Sequence, residues 1–267
     1  PDGAAATPTA GAPSVETGRS ENPGKVERTR KGGGERKPGE GLRGSAGGDD
    51  GAGADAPGGG GDGSALYPGE GDFVYDQKGW EKFCQGPSCD RRPLPDSQTV
   101  AATIESRSDA AATIVAEARS SERQKMTTTT RYSRGEIEIT KVVIDFTYGS
   151  FNFSQTYEPR PPVESFVFPL SVGKKWSGEW EAQTSGDYRM SVEGRDDVAV
   201  GDATARAFRV DTVTNFRGEF SGRAQITVWL DPATRTIVRT DGDIAVASSF
   251  GEYTSSFRTT LRSGPGY

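Results

Sequence analysis

The stretch "EFSGRAQITVWL", residues 219–230, decides the fold class. Phe220, Ala224, Ile226, Val228 and Leu230 share one parity, and Arg223, Gln225 and Thr227 take the other. Successive side chains of an extended strand point to opposite faces, so this alternation describes a strand with one apolar and one polar side. A surface helix would instead space its apolar residues by three and four. The same period runs through "SFNFSQTY" (150–157), where Phe151, Phe153 and Tyr157 face away from Asn152, Ser154 and Thr156. It recurs in "DYRMSVEG" (187–194) with Tyr188, Met190 and Val192, and in "YTSSFRTTLR" (253–262) with Tyr253, Phe257 and Leu261. One-sided strands of this kind belong to antiparallel sheets packed on a single face.

Turn-like segments punctuate these runs: "SRGE" (133–136), "SGD" (185–187), "VGDA" (200–203), "LDPATR" (230–235) and "TDGD" (240–243). Their spacing predicts about ten strands joined largely by hairpins. The segment "SDAAATIVAEARSSERQKM" (108–126) reads two ways. Its alanines, with Ser108 or Asp109 as a cap, suit a helix; its alternation and the following "TTTTRYS" suit strands. The expected fold is all-β: an antiparallel meander over residues 67–267 forming a half-barrel, barrel or sandwich.

Residues 1–66 differ in kind. No aromatic occurs before Tyr67, and "DAPGGGGDGSAL" typifies the Gly/Pro-rich composition. Such a segment cannot bury enough apolar surface to offset its ordering entropy, so it is expected to be a disordered linker. Residues 25–43 carry seven basic and three acidic side chains. That block offers Lys25, Arg28, Arg30, Lys31, Arg36 and Lys37 to an anionic surface; the blander reading is a solvated polyampholyte. The chain starts at Pro1 without an initiator methionine and so reads as a processed product.

The 267 residues contain no histidine, which removes Ser-His-Asp and Cys-His nucleophilic systems and the usual zinc sites. A net charge of −6 argues against general nucleic-acid binding. No apolar run is long enough for a membrane-spanning helix. Cys84 and Cys89, the two cysteines, flank "QGPS" and are expected to form a local disulfide, which implies an oxidising compartment. A hydrolase without histidine would use paired carboxylates, for which Glu179, Glu181, Asp187, Asp196, Asp197, Asp211 and Glu219 are candidates. Nothing in their spacing singles out a pair. "GRDD" and "TDGDI" contain clustered carboxylates but no complete calcium loop, and they read as turns.

The segment "FPLSVGKKWSGEW" (168–180) places Trp176, Gly178 and Trp180 on one strand face. The two indoles are either core anchors or a stacking platform for sugar or lipid. "FPLSVGKKWSGEW", the spacing of Gly186, Tyr188, Val192 and Gly194, and "VWLDPATRTIVRT" (228–240) together resemble the secreted β-domain proteins of actinobacteria. The layout is also distantly similar to half-barrel envelope lipoproteins that carry acyl chains on a curved sheet. These resemblances imply a secreted or cell-envelope location and bring no catalytic residue. The expected function is non-catalytic and cofactor-free: a tethered β domain binding an amphiphilic ligand or a protein or glycan partner. Trp176, Trp180, Trp229, Phe151 and Phe153 are the candidate ligand-binding residues. A carboxylate-dependent hydrolase and a purely structural surface protein are the alternatives.

Overall fold

The computed structural model describes residues 65–267, apart from the side chain of Phe151. Residues 1–64, which hold nearly all of the expected linker and its basic block, lie outside the described residues. Within the described part the chain forms fourteen strands and no helix. The first seven are β1 (Gly71–Gln85), β2 (Ser88–Pro93), β3 (Ser97–Arg107), β4 (Ala111–Arg119), β5 (Gln124–Ser133), β6 (Glu136–Tyr148) and β7 (Phe151–Tyr157). The second seven are β8 (Val163–Val167), β9 (Lys175–Trp180), β10 (Thr184–Val200), β11 (Ala203–Gly218), β12 (Ser221–Asp231), β13 (Thr236–Ser248) and β14 (Gly251–Ser263).

All belong to one antiparallel sheet, in the order β7-β6-β5-β4-β3-β1-β14-β13-β12-β11-β10-β9. Short β2 adds to β1 and β8 adds to β6. Two meanders, β3 to β7 and β9 to β14, are therefore joined where β1 pairs with the last strand. The sheet curls into a half-barrel, one of the three forms the alternating pattern allowed. Its two flanks meet at one isolated bridge, where the backbone N–H groups of Arg160 and Glu181 donate to each other's carbonyls at 3.0 and 2.9 Å.

Two aliphatic and aromatic cores hold the curl. One gathers Phe73, Ile114, Val198, Val200, Ala207, Val238 and Leu261; the other gathers Phe166, Trp180, Tyr188, Val192, Phe208, Val210 and Leu230. Register shifts leave Glu193 of β10 and Val238 of β13 as extra residues, bulges at which these two strands bend between the cores. There β11 and β12 bury both faces: Ala207 and Leu230 are 0% exposed, Phe208 3% and Trp229 7%. The one-sided sheet expected from the sequence thus becomes two-sided over this segment.

One open choice is decided and two expected turns are overturned. Residues 108–126 are strand on either side of a short loop, β4 and the start of β5, with no helix. "TDGD" and "SGD" are not turns but the interiors of β13 and β10. Their glycines mark close approach, not reversal: a Cβ on Gly242 would sit 2.6 Å from the Phe257 ring. One on Gly186 would lie 2.4 Å from both the Trp180 indole and the Asn215 carbonyl. A strand glycine and a turn glycine look alike until the partner ring is known.

Candidate functional site: the inner face of the curled sheet

Register defines an inner face. Val228 pairs with Thr240, Ile226 with Gly242 and Ala224 with Ile244. On the neighbouring pair, Gly242 meets Phe257 and Val246 meets Tyr253. Across the barrel, Val142 meets Thr128 and Tyr157, and Ile144 meets Met126 and Gln155. Along β5, β6, β7, β12, β13 and β14 these inner positions carry no charged residue. The outer positions of the same strands hold Lys125, Arg131, Lys141, Asp145, Arg223, Arg239, Asp241, Glu252 and Arg258.

The two inner walls approach through aromatic contacts. Phe153 of β7 meets Phe220 at 5.7 Å and Phe250 at 5.6 Å between ring centroids, and Tyr157 meets Phe220 at 6.2 Å. Gln155 Nε2 donates to Glu219 at 3.1 Å beside them. Between these contacts and the cores, Val142, Ile144, Ile226, Ile244 and Phe257 are half-buried and Met126 is 39% exposed. None of the six belongs to either core. These six side chains therefore leave part of the inner face exposed. Farther along it, on β1, the side-chain oxygen of Gln77 is buried without a hydrogen-bond partner.

A polar cluster stands at one end of this face. Ser121, in the β4–β5 loop, donates to Glu81 Oε2 at 3.0 Å, and the Tyr253 hydroxyl donates to Gln124 Oε1 at 3.0 Å. Arg123 bonds Asp90 and lies 4.0 Å from Glu81, with its guanidinium over the Tyr148 ring. Burial pushes the Tyr253 hydroxyl pKa up, and the Glu81 carboxylate adds to that shift. The Arg92 hydrogen bond, and with it Arg123, holds Asp90 below the usual carboxylate range. A cavity of about 420 Å³ opens beside the cluster, lined by Asp90, Arg92, Glu122, Arg123, Thr147, Tyr148 and Gly149. Cys84 and Cys89 are disulfide-bonded across the β1–β2 hairpin that presents Asp90.

The candidate aromatics do not form one platform. Trp176 and Trp180 share the inner face of β9, and their indole N–H groups donate to the Glu164 and Thr184 carbonyls at 2.9 and 3.1 Å. Trp180, 9% exposed, is a core anchor, and Trp176 packs against the same core. Trp229 points the opposite way from Leu230, into the other core, with its N–H on Asp196 at 2.8 Å and Arg239 stacked 4.3 Å from its ring. It shares no surface with the β9 indoles. Phe153 does line the inner face, and the Phe151 side chain lies outside the described residues. Sequence reading missed Met126, Val142, Ile144 and Ile244. The signal was present in "KVVIDF", where Val142, Ile144 and Phe146 alternate, but an unbroken aliphatic run masks its period.

The candidate carboxylates are dispersed. Asp187 accepts from Asn215 at 2.7 Å and Arg217 at 2.6 Å, and these bonds hold its pKa down. Asp196 is bound by Arg209 and Trp229, Asp211 by Thr227, and Glu219 by Gln155. A cavity of about 350 Å³ at the bridged flanks holds Glu158 and Glu181 with Arg160. A depressed Asp187 suits an ion pair and opposes a general-acid role. Among the described residues no cluster of metal-ligating side chains occurs, and no helix is long and apolar enough to cross a membrane.

No family model and no curated protein matches the sequence. Among solved structures, a hypothetical protein from Chlamydia trachomatis aligns at 10% identity over 76% of this chain and 93% of its own, with a TM-score of 0.19.

Proposed function

We propose that this chain is a non-catalytic secreted or cell-envelope β domain that takes the apolar part of an amphiphilic ligand, such as an acyl chain, on its inner face. The observation that carries this reading is a contrast: the inner positions of six strands are uncharged and include part-exposed aliphatics, while the outer positions of five of them, β5, β6, β12, β13 and β14, are charged. Small-molecule sites are concave and mostly apolar with a few placed polar groups, and the Glu81–Arg123–Tyr253 cluster supplies such groups at one end. The disulfide supports the oxidising location.

Native mass spectrometry of the protein purified from its host envelope is the test, paired with displacement of a fluorescent fatty acid in vitro. A discrete lipid mass, together with an Ile144→Asp variant that weakens the probe on the order of tenfold or more, supports the reading, because a carboxylate there would be desolvated by the ligand. A clean apo mass with no probe binding overturns it.

A further inference from the structure

The outer face of β1 carries a feature that the inner-face reading does not use. Lys78, Trp80 and Lys82 share that face, opposite the parity of buried Gln77, Glu81 and Phe83. Lys78 lies directly across from Arg258 of β14, and Lys82 directly across from Arg91 of β2. Like charges directly opposite one another in a sheet destabilise it, and here two such pairs bracket one indole. Arg258 is partly compensated by Asp241 at 2.8 Å. Lys78, Lys82 and Arg91 form no ion pair among the described residues. The Arg91 guanidinium instead lies 4.1 Å from the Trp80 ring centroid.

The neighbouring outer positions sharpen the imbalance. On β1, β2, β13 and β14, Lys78, Lys82, Arg91, Arg239, Arg258 and Arg262 face Asp72, Asp76, Asp241, Asp243 and Glu252. That is six cations against five carboxylates, a local charge of +1 on a chain whose net charge is −6. Asp241 is shared by Arg239 and Arg258, and Asp76 holds Arg262, so the uncompensated cations collect around Trp80. A sheet that opposes lysine to arginine twice gains nothing from it in isolation. An anionic partner lying across both pairs removes the repulsion.

We propose that this face of β1, β2 and β14 docks the protein onto an anionic lipid bilayer, with Trp80 at the headgroup level and Lys78, Lys82 and Arg91 on the phosphates. The indole decides between a bilayer and a soluble polyanion. Cations alone serve a polyanion, whereas a half-buried tryptophan ringed by lysines matches the amphipathic boundary of a membrane. The stacked Arg91 keeps its charge while shielding the ring's face, and the lysine stems leave their ammonium groups free to reach phosphate. The inference is independent of the inner-face reading, since it uses the opposite side of β1.

Sedimentation of the full chain with vesicles tests it. Vesicles of equal parts phosphatidylglycerol and phosphatidylcholine should retain the protein, pure phosphatidylcholine should not, and added salt should release it. Lys78→Gln and Lys82→Gln should each weaken retention roughly fivefold, and Lys78→Glu with Lys82→Glu further. Trp80→Ser should weaken it too and remove the blue shift of tryptophan emission on binding. Near-ultraviolet circular dichroism confirms that each variant is folded. Retention unchanged in the charge variants overturns the proposal, including the case where the basic block of residues 25–43 carries the binding. A soluble acidic polysaccharide bound equally by wild type and Trp80→Ser, without vesicle retention, reassigns the face to a polyanion and overturns the membrane assignment.

Discussion

The segment of β11 and β12 around Phe208 and Leu230 and the end of β1 around Phe83 hold the same sheet by different means. Around Leu230 the chain is packed on both faces, one wall in each core, by aliphatic and aromatic side chains with almost no exposure. Around Phe83 few aliphatics are present. Phe83 meets Phe146 at 5.0 Å and Tyr148 at 4.9 Å, and Phe146 meets Tyr253 at 6.0 Å. The Cys84–Cys89 disulfide, the Ser121–Glu81 hydrogen bond and the Arg123–Asp90 ion pair complete the closure. Nondirectional burial secures the first region; covalent and charged contacts secure the second. The part-exposed aliphatics of the inner face lie between them.

The largest effect separates the packed wall from the inner face. Leu230→Ala should cost about 2–5 kcal/mol, because a fully buried leucine leaves both lost transfer energy and a cavity. Ile226→Ala, half-buried on the same strand and the same face, should cost less than half of that, since less of its side chain is removed from water. Denaturant midpoints at constant slope measure both. Equal losses would mean that the inner face is filled, and the comparison would collapse.

Reduction comes next. A five-residue separation closes a short loop, so reducing Cys84–Cys89 should remove about 2 kcal/mol in the loop-entropy description. The loss should be local: amide exchange should accelerate across β2 and the end of β1, and not at Ala207, Phe208 or Leu230. Protection lost equally in both regions would show one cooperative unit and erase the distinction drawn here.

The packed wall was more legible in the sequence than the border. Tyr188, Met190 and Val192 alternate in plain view, and all three are buried. The two-sided burial of Trp229 and Leu230 was not visible, because the core on the Trp229 side gathers distant residues such as Phe73, Ile114, Val198 and Leu261, and the β10 bulge that turns Val198 toward it has no residue signature. The disulfide followed from two cysteines spaced by a turn. The cluster behind it did not: Glu81, Ser121 and Tyr253 are separated by up to 172 residues and meet only because β1 pairs with β14 while the β4–β5 loop folds back. The inner-face aliphatics were readable one strand at a time, but which walls face each other is a property of curl. Curl depends on bulges and on strand glycines such as Gly186 and Gly242, which the sequence disguises as turns.

The smallest effect lies on the outer surface of the packed region and checks that charge matters there as little as the comparison requires. Asp187 sits on β10 beside buried Tyr188, accepting from Asn215 and Arg217, and its pKa is held below the usual 3.8 by those bonds despite some desolvation. A depressed folded-state pKa contributes stability that is present above the unfolded value and disappears as pH falls through the folded one. Asp187→Asn should therefore cost less than about 1 kcal/mol at neutral pH, the range of exposed ion pairs. The difference from wild type should shrink as the pH drops below 3.8 and vanish once both Asp187 states are protonated. High salt should shrink it as well, by screening Arg217. A pH-independent loss, or one as large as that of Leu230→Ala, would place Asp187 among the groups that hold the wall together, and the division between packed wall and charged border would need to be redrawn along β10.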